Sequence, residues 1–195
     1  MNKNIIYIIS GIIILVLVGF GVDYFVGKAK QKPAENTKKY DNADQISDDS
    51  LGVSFYVDKS MERIEQKELT TKNPFFIYGF APKDVSDVGC YISQTKRTSA
   101  GEVTLDYLKQ GTFDQIKKNY SDAELVNSAE VVFGEIKGVK MEIKYKEGDK
   151  SVKMIEAVGT NDRVTTFAFC STPESLYDFY KDKFGILFDS LKLKK

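Results

Sequence analysis

From Ile5 to Val26 the chain runs through Ile, Leu, Val, Phe, Tyr and Gly, and Asp23 is the one charge in these 22 residues. As a helix rising ~1.5 Å per residue, such a run covers the ~30 Å hydrocarbon core of a bilayer. The first expectation is therefore one transmembrane anchor over residues 1–27. A cleaved signal peptide is the competing reading, because Lys3 and the small residues around Gly27-Lys28-Ala29 imitate its flanks. Its apolar part should be shorter, at ~7–15 residues. Nothing at the end of the run resembles a lipid-attachment cysteine.

After the anchor the composition changes abruptly. Residues 28–50 are rich in Lys, Asp, Asn, Gln and Ser, include Pro33 and hold almost no bulky apolar side chain. Such a stretch is too polar to bury and reads as a disordered linker. Residues 51–195 remain as one domain, within the usual range of ~50–250 residues. The lysines after the anchor, Lys28, Lys30, Lys32, Lys38 and Lys39, would by the positive-inside rule keep the domain in the cytoplasm. The tail before the anchor is too short to weigh against them, and N-terminal anchors commonly export the domain attached to them. An extracytoplasmic, single-pass placement is the expectation.

Charge and residue counts exclude several functions. Lys+Arg and Asp+Glu both number 28, so no net field draws nucleic acid to the chain. The lysines at 140, 144, 146, 150 and 153 are diluted by Glu142, Glu147 and Asp149, the pattern of a solvated sheet face. No nucleic acid is expected. Histidine is absent, which removes the commonest general base and metal ligand. Without it a hydrolase would need a Ser-Lys site. Asp48, Asp49, Asp84 and Asp87 lack the spacing of a cation loop and read as turn acids. No catalytic residue, cofactor or metal is expected. Two candidates remain. Cys90 and Cys170 form no CxxC and are either a disulfide or two buried thiols. Lys96 and Arg97, beside Thr95, Thr98 and Ser99, form a possible ligand-contact loop for a phosphate or carboxylate.

The rest of the chain alternates strand and helix signals. Val53–Val57, Phe75–Phe80 and Val88–Ser93 read as early strands, two of which pair as a loose hairpin. Thr104 caps a helix running to about Asn119, with Leu105, Leu108, Phe113, Ile116 and Tyr120 near one stripe. Four strands come next at 129–136, 139–146, 151–158 and 163–170, turning at Lys137-Gly138, at 147–150 and at 159–162. Val139, Met141, Ile143 and Tyr145 share one face of the second. Thr172-Pro173-Glu174 starts a closing helix whose stripe is Leu176, Phe179, Tyr180, Phe184, Leu187, Phe188 and Leu191. The order implies an α+β domain with an antiparallel sheet covered by helices.

The strand at Val53–Val57, the Thr104-Leu105 helix start, the Val132–Ile136/Val139–Tyr145 hairpin and the closing Phe184-Gly185-Ile186-Leu187-Phe188-Asp189-Ser190-Leu191 resemble the PsbP-like family. That family includes the extrinsic photosystem II protein, a Ran-binding nuclear import factor with the same fold, and many anchored or lipidated bacterial domains. The resemblance spans about residues 51–193 and departs from many members in lacking tryptophan in the first segment. It implies an α/β/α sandwich around an antiparallel sheet, and binding rather than catalysis. Two functions are carried forward. One is a membrane-tethered module that binds a protein or a small apolar ligand; the other is an enzyme with a histidine-free, hydrolase-like site.

Overall fold

The structure is a computed structural model, and it describes residues 40–97 and 103–194. The apolar run Ile5–Val26 lies outside these residues. Among the described residues, no helix is long and apolar enough to cross a membrane.

In chain order the elements are β1 (Ala43–Asp48), β2 (Val53–Asp58), β3 (Met61–Arg63), α1 (Gln66–Lys72), β4 (Phe76–Pro82) and β5 (Gly89–Lys96). They continue with α2 (Leu105–Asn119), β6 (Glu124–Phe133), β7 (Ile136–Glu147), β8 (Lys150–Thr160), β9 (Val164–Pro173), α3 (Tyr177–Ser190) and β10 (Lys192–Leu193). Seven strands form an antiparallel sheet in the order β3-β4-β5-β9-β8-β7-β6, and β1-β2-β10 form a smaller one. The fold is thus mixed α+β, with antiparallel sheets packed against helices.

Period-two alternation splits the large sheet between two cores. On one face Phe80, Ile92, Ile155 and Ala168 meet Phe55 of β2 and Phe184, Leu187 and Phe188 of α3. On the other, Phe76, Met141, Ile143, Met154, Val158 and Phe169 meet Leu69 of α1 and Leu108 and Ile116 of α2. α2 begins where expected, with the Thr104 hydroxyl accepting from the Tyr107 N–H at 3.2 Å. Helices therefore cover both faces, and the small sheet shares one of them with α3.

Four expectations are corrected. The linker assigned through Ser50 contains β1: Ile46 packs on the core and Tyr40 stacks on Tyr56 at 4.6 Å, so a polar segment gains order as an edge strand of β2. The first hairpin turns at Gly134-Glu135 rather than at Lys137-Gly138, because Gly134 takes φ 67°, the first position of a II′ turn. Gly138 lies inside β7, where a Cβ would strike the Val158 carbonyl and the Phe133 ring. Thr172 and Pro173 do not start the closing helix, because they pair with Lys153 and Val152 as the end of β9. A 3-10 turn at Glu174–Leu176 then delays α3 to Tyr177. Finally, Phe179 is 67 % and Leu176 38 % exposed, so the buried stripe of α3 begins at Tyr180. Phe179 lies beneath the Lys183 ammonium, 4.6 Å from the ring centre.

Candidate functional site

Of the acids read as turn acids, Asp48, Asp49 and Asp87 hold structure. Asp48 Oδ1 accepts from the Ser50 hydroxyl and from the N–H groups of Ser50 and Leu51, and its Oδ2 accepts from the Tyr78 hydroxyl at 2.9 Å. These bonds, led by that from the Ser50 hydroxyl, hold its carboxyl below the usual range. Asp49 pairs with Lys194 and Asp87 with Lys150, each at 2.6 Å. No group of residues that would hold a metal ion occurs among the described residues.

Lys96 ends β5 and is exposed, opposite Val164 of β9. Arg97 comes next, its backbone N–H donating to the Arg163 carbonyl and its Nη1 to the Asn161 carbonyl at 2.9 Å. That arginine therefore buttresses the β8–β9 turn. Thr98 and Ser99, the hydroxyls of the proposed loop, lie outside the described residues. Nearby, Gln94 donates to the Leu51 carbonyl and to Thr166, and Asn161 donates to the Lys194 carbonyl, stitching the small sheet to the large one. The crevice they line has a volume of about 10 Å³, room for one water and too little for an organic ligand.

Cys90 and Cys170 occupy opposed positions of β5 and β9, with Cα atoms 4.0 Å apart, and are joined by a disulfide. Both are buried at the centre of the α3-facing core. The bond closes a loop of 80 residues that carries β6 through β8 and α2.

One group went unnoticed in the sequence. Glu156 of β8 is 0 % exposed and points to the α2-facing side, flanked on its strand by Met154 and Val158 and opposed by Met141 of β7 and Phe169 of β9. Neither carboxyl oxygen has a hydrogen-bond partner. Desolvation alone pushes its pKa up to about 8, so the group is mostly protonated at neutral pH. On the same face the hydroxyls of Ser93 and Thr112 are also buried and unpartnered. Thr112 lies on α2, which rests on β7 and β8. The signal for Glu156 was a lone acid in the apolar run Met154-Ile155-Glu156-Ala157-Val158, where a half-exposed strand would show alternation.

At the surface, the feature that stands out is β6. It forms one margin of the seven-stranded sheet, and Val126 through Glu130 are exposed on both faces. Val126 is 50 % and Val132 67 % exposed. The strand is ten residues long and carries no lysine and no proline, the residues that commonly blunt an open edge. One bulge, between Leu125 and Asn127, interrupts its pairing with β7.

No family model matches the sequence, and no curated protein sequence is similar to it at a significant level. The structure is similar to the solution structure of cyanobacterial PsbP (CyanoP) from Synechocystis sp. PCC 6803, with TM-score 0.59 and 17 % identity over 87 % of this chain and 99 % of that one. It is also similar to LpqN, described as involved in cell envelope biogenesis of Mycobacterium tuberculosis, with TM-score 0.56 and 10 % identity over 73 % of this chain and 83 % of that one. At such identities the likeness concerns architecture. The chain has a PsbP-like fold.

Proposed function

We propose that the chain is a non-catalytic, membrane-tethered interaction domain that presents β6 to an extended segment of a protein partner outside the cytoplasm. The observation that carries this reading is the open margin of the sheet: among the described residues no strand pairs with the outer edge of β6, Val126 through Glu130 are exposed on both faces, and Val132 is exposed as well. Edge strands of this kind bind by adding a strand, where main-chain hydrogen bonds supply affinity and alternate side chains supply selectivity. The run Ile5–Val26 supports a tether, and the buried disulfide supports an oxidising compartment. The alternative, a histidine-free enzyme, has less support: among the described residues the one strongly perturbed carboxyl, Glu156, lies sealed beneath α2, where a substrate would have to displace the core.

The tether is tested by fractionation and protease shaving. Expected are retention in the membrane through an alkaline wash and digestion of the domain in intact cells; release of most of the full-length chain, or protection from the protease, overturns the corresponding part. The strand is tested by placing a photo-crosslinking side chain at Val132 and, as a control, at the exposed Asp178 of α3. Protein adducts at Val132 in excess of those at Asp178 are expected, and equal yields at both would sink the assignment of β6.

A further inference from the structure

The chain enters the domain at one end of the sheets, and the strand registers identify what surrounds that entry. Ala43, the first residue of β1, lies opposite Asp58 at the end of β2, and Tyr40 just before it stacks on Tyr56. β2 leads directly to β3, whose Met61 pairs with Pro82 at the end of β4. Gly89 resumes the sheet as the start of β5 and pairs with Ser171 near the end of β9, and α3 begins a few residues later. The start of α3 therefore stands at the same end of the domain as the entry point.

That region carries an apolar surface. Leu176 and Phe179 are 38 % and 67 % exposed, and their spacing of three across the 3-10 turn and the first turn of α3 makes them neighbours. Phe179 is the most exposed aromatic side chain among the described residues. Lys183, one turn on, sets its ammonium 4.6 Å from the Phe179 ring centre. An ammonium on a long apolar stem beside an exposed ring suits the boundary between lipid headgroups and acyl chains, where the ring sinks and the charge stays wet. The acids nearby do not oppose this. Glu174 pairs with Lys144 at 2.6 Å and Asp178 with Lys181 at 2.9 Å, and Asp182 is matched in sign by Lys183.

We propose that Leu176 and Phe179 dip into the surface of the bilayer that holds the Ile5–Val26 anchor, docking the entry end of the domain onto lipid. The reach of the chain commits the patch to this occupant. Residues 27–39 separate Val26 from Tyr40 and span at most about 50 Å when fully extended, so the entry end never leaves the neighbourhood of the bilayer. A contact too weak to hold a free domain is enough for a tethered one, because the tether keeps the effective concentration of the surface high. The inference rests on the reading of Ile5–Val26 as a tether and adds a lipid contact to it. Docking at this end leaves the outer edge of β6, at the margin of the sheet, open to a partner.

The chain has no tryptophan, so Phe179→Trp introduces a single reporter. The full-length variant is reconstituted into protein-free phosphatidylcholine vesicles whose acyl chains carry bromine, which quenches tryptophan on contact. Tyr107→Trp is the control: Tyr107 is 44 % exposed in the first turn of α2, which follows the Lys96 end of β5 and covers the other face of the large sheet. Quenching at position 179 at least about twice that at 107 is expected. Leu176→Trp should be quenched as well, and adding Phe179→Asp should abolish that quenching while the melting transition is kept, since both side chains are exposed. Equal quenching at 179 and 107, or none at 179, in vesicles that retain the chain overturns the docking and leaves the tether standing. A full-length chain that parts from the vesicles on flotation overturns the tether and the docking with it. Position 179 unquenched in these vesicles but shielded from aqueous iodide in the native membrane marks a protein contact, which overturns the assignment to lipid.

Discussion

Replacing Glu156 by Gln should stabilise the domain at neutral pH and leave it unchanged in acid. The carboxyl has an ordinary value near 4.5 in the unfolded chain and about 8 in the folded one. Its contribution to stability is therefore fully present below pH 4.5 and is lost as the pH rises toward 8, because the unfolded state gives up its proton first. At pH 7 the gap is about 2.5 pH units, or about 3 kcal/mol; above pH 8 it levels off at about 5 kcal/mol. Both figures are large against the ~5–15 kcal/mol that holds a typical domain. Gln has nearly the shape of the protonated acid and the same unpartnered burial, so it removes the proton linkage and little else. Urea unfolding of wild type and Glu156→Gln at pH 4, 7 and 8.5 measures the difference directly. Expected is a difference near zero at pH 4, about 3 kcal/mol in favour of Gln at pH 7, and more at pH 8.5. The other titrating groups, including Asp48, act on both proteins and cancel. A difference that stays flat between pH 4 and 8.5, or a Gln variant weaker throughout, would refute the assignment of a buried, unpaired carboxyl.

Two further outcomes concern the core. Phe184, 0 % exposed on the inner face of α3, should cost about 3–5 kcal/mol when changed to Ala, whereas Lys183→Ala gives up only its contact with the Phe179 and Tyr180 rings and should cost less than about 1 kcal/mol; thermal melts of both compare them. Opening the Cys90–Cys170 bond should lower stability by roughly 4 kcal/mol in the chain-entropy model, read as a drop in the urea midpoint of the Cys90→Ala/Cys170→Ala variant that a reductant no longer changes.

What the residue order determined was local. The period of two in Val139, Met141, Ile143 and Tyr145 set the buried face of β7, and Thr104 with the Leu108–Ile116 stripe set the start and the inner face of α2. These signals depend on neighbours within one turn or one strand, so they survive without knowledge of the fold. The closing helix was legible for the same reason, but its first turn was not: pairing of Thr172 and Pro173 with β8 held the chain extended past a strong capping signal. Strand β1 was hidden because its order comes from β2 and the ring of Tyr56 rather than from its own composition. The candidate sites divide in the same way. The sequence left Cys90 and Cys170 as bond or thiols, and the β5–β9 register placed them opposite each other. The apolar run around Glu156 signalled its acid, but the burial of that acid and the open edge at β6 are fixed only once the strand order is known. Burial and exposure belong to the assembled sheet: β8 lies inside it with cover on both faces, β6 ends it, and nothing within either segment records which neighbours the others supply.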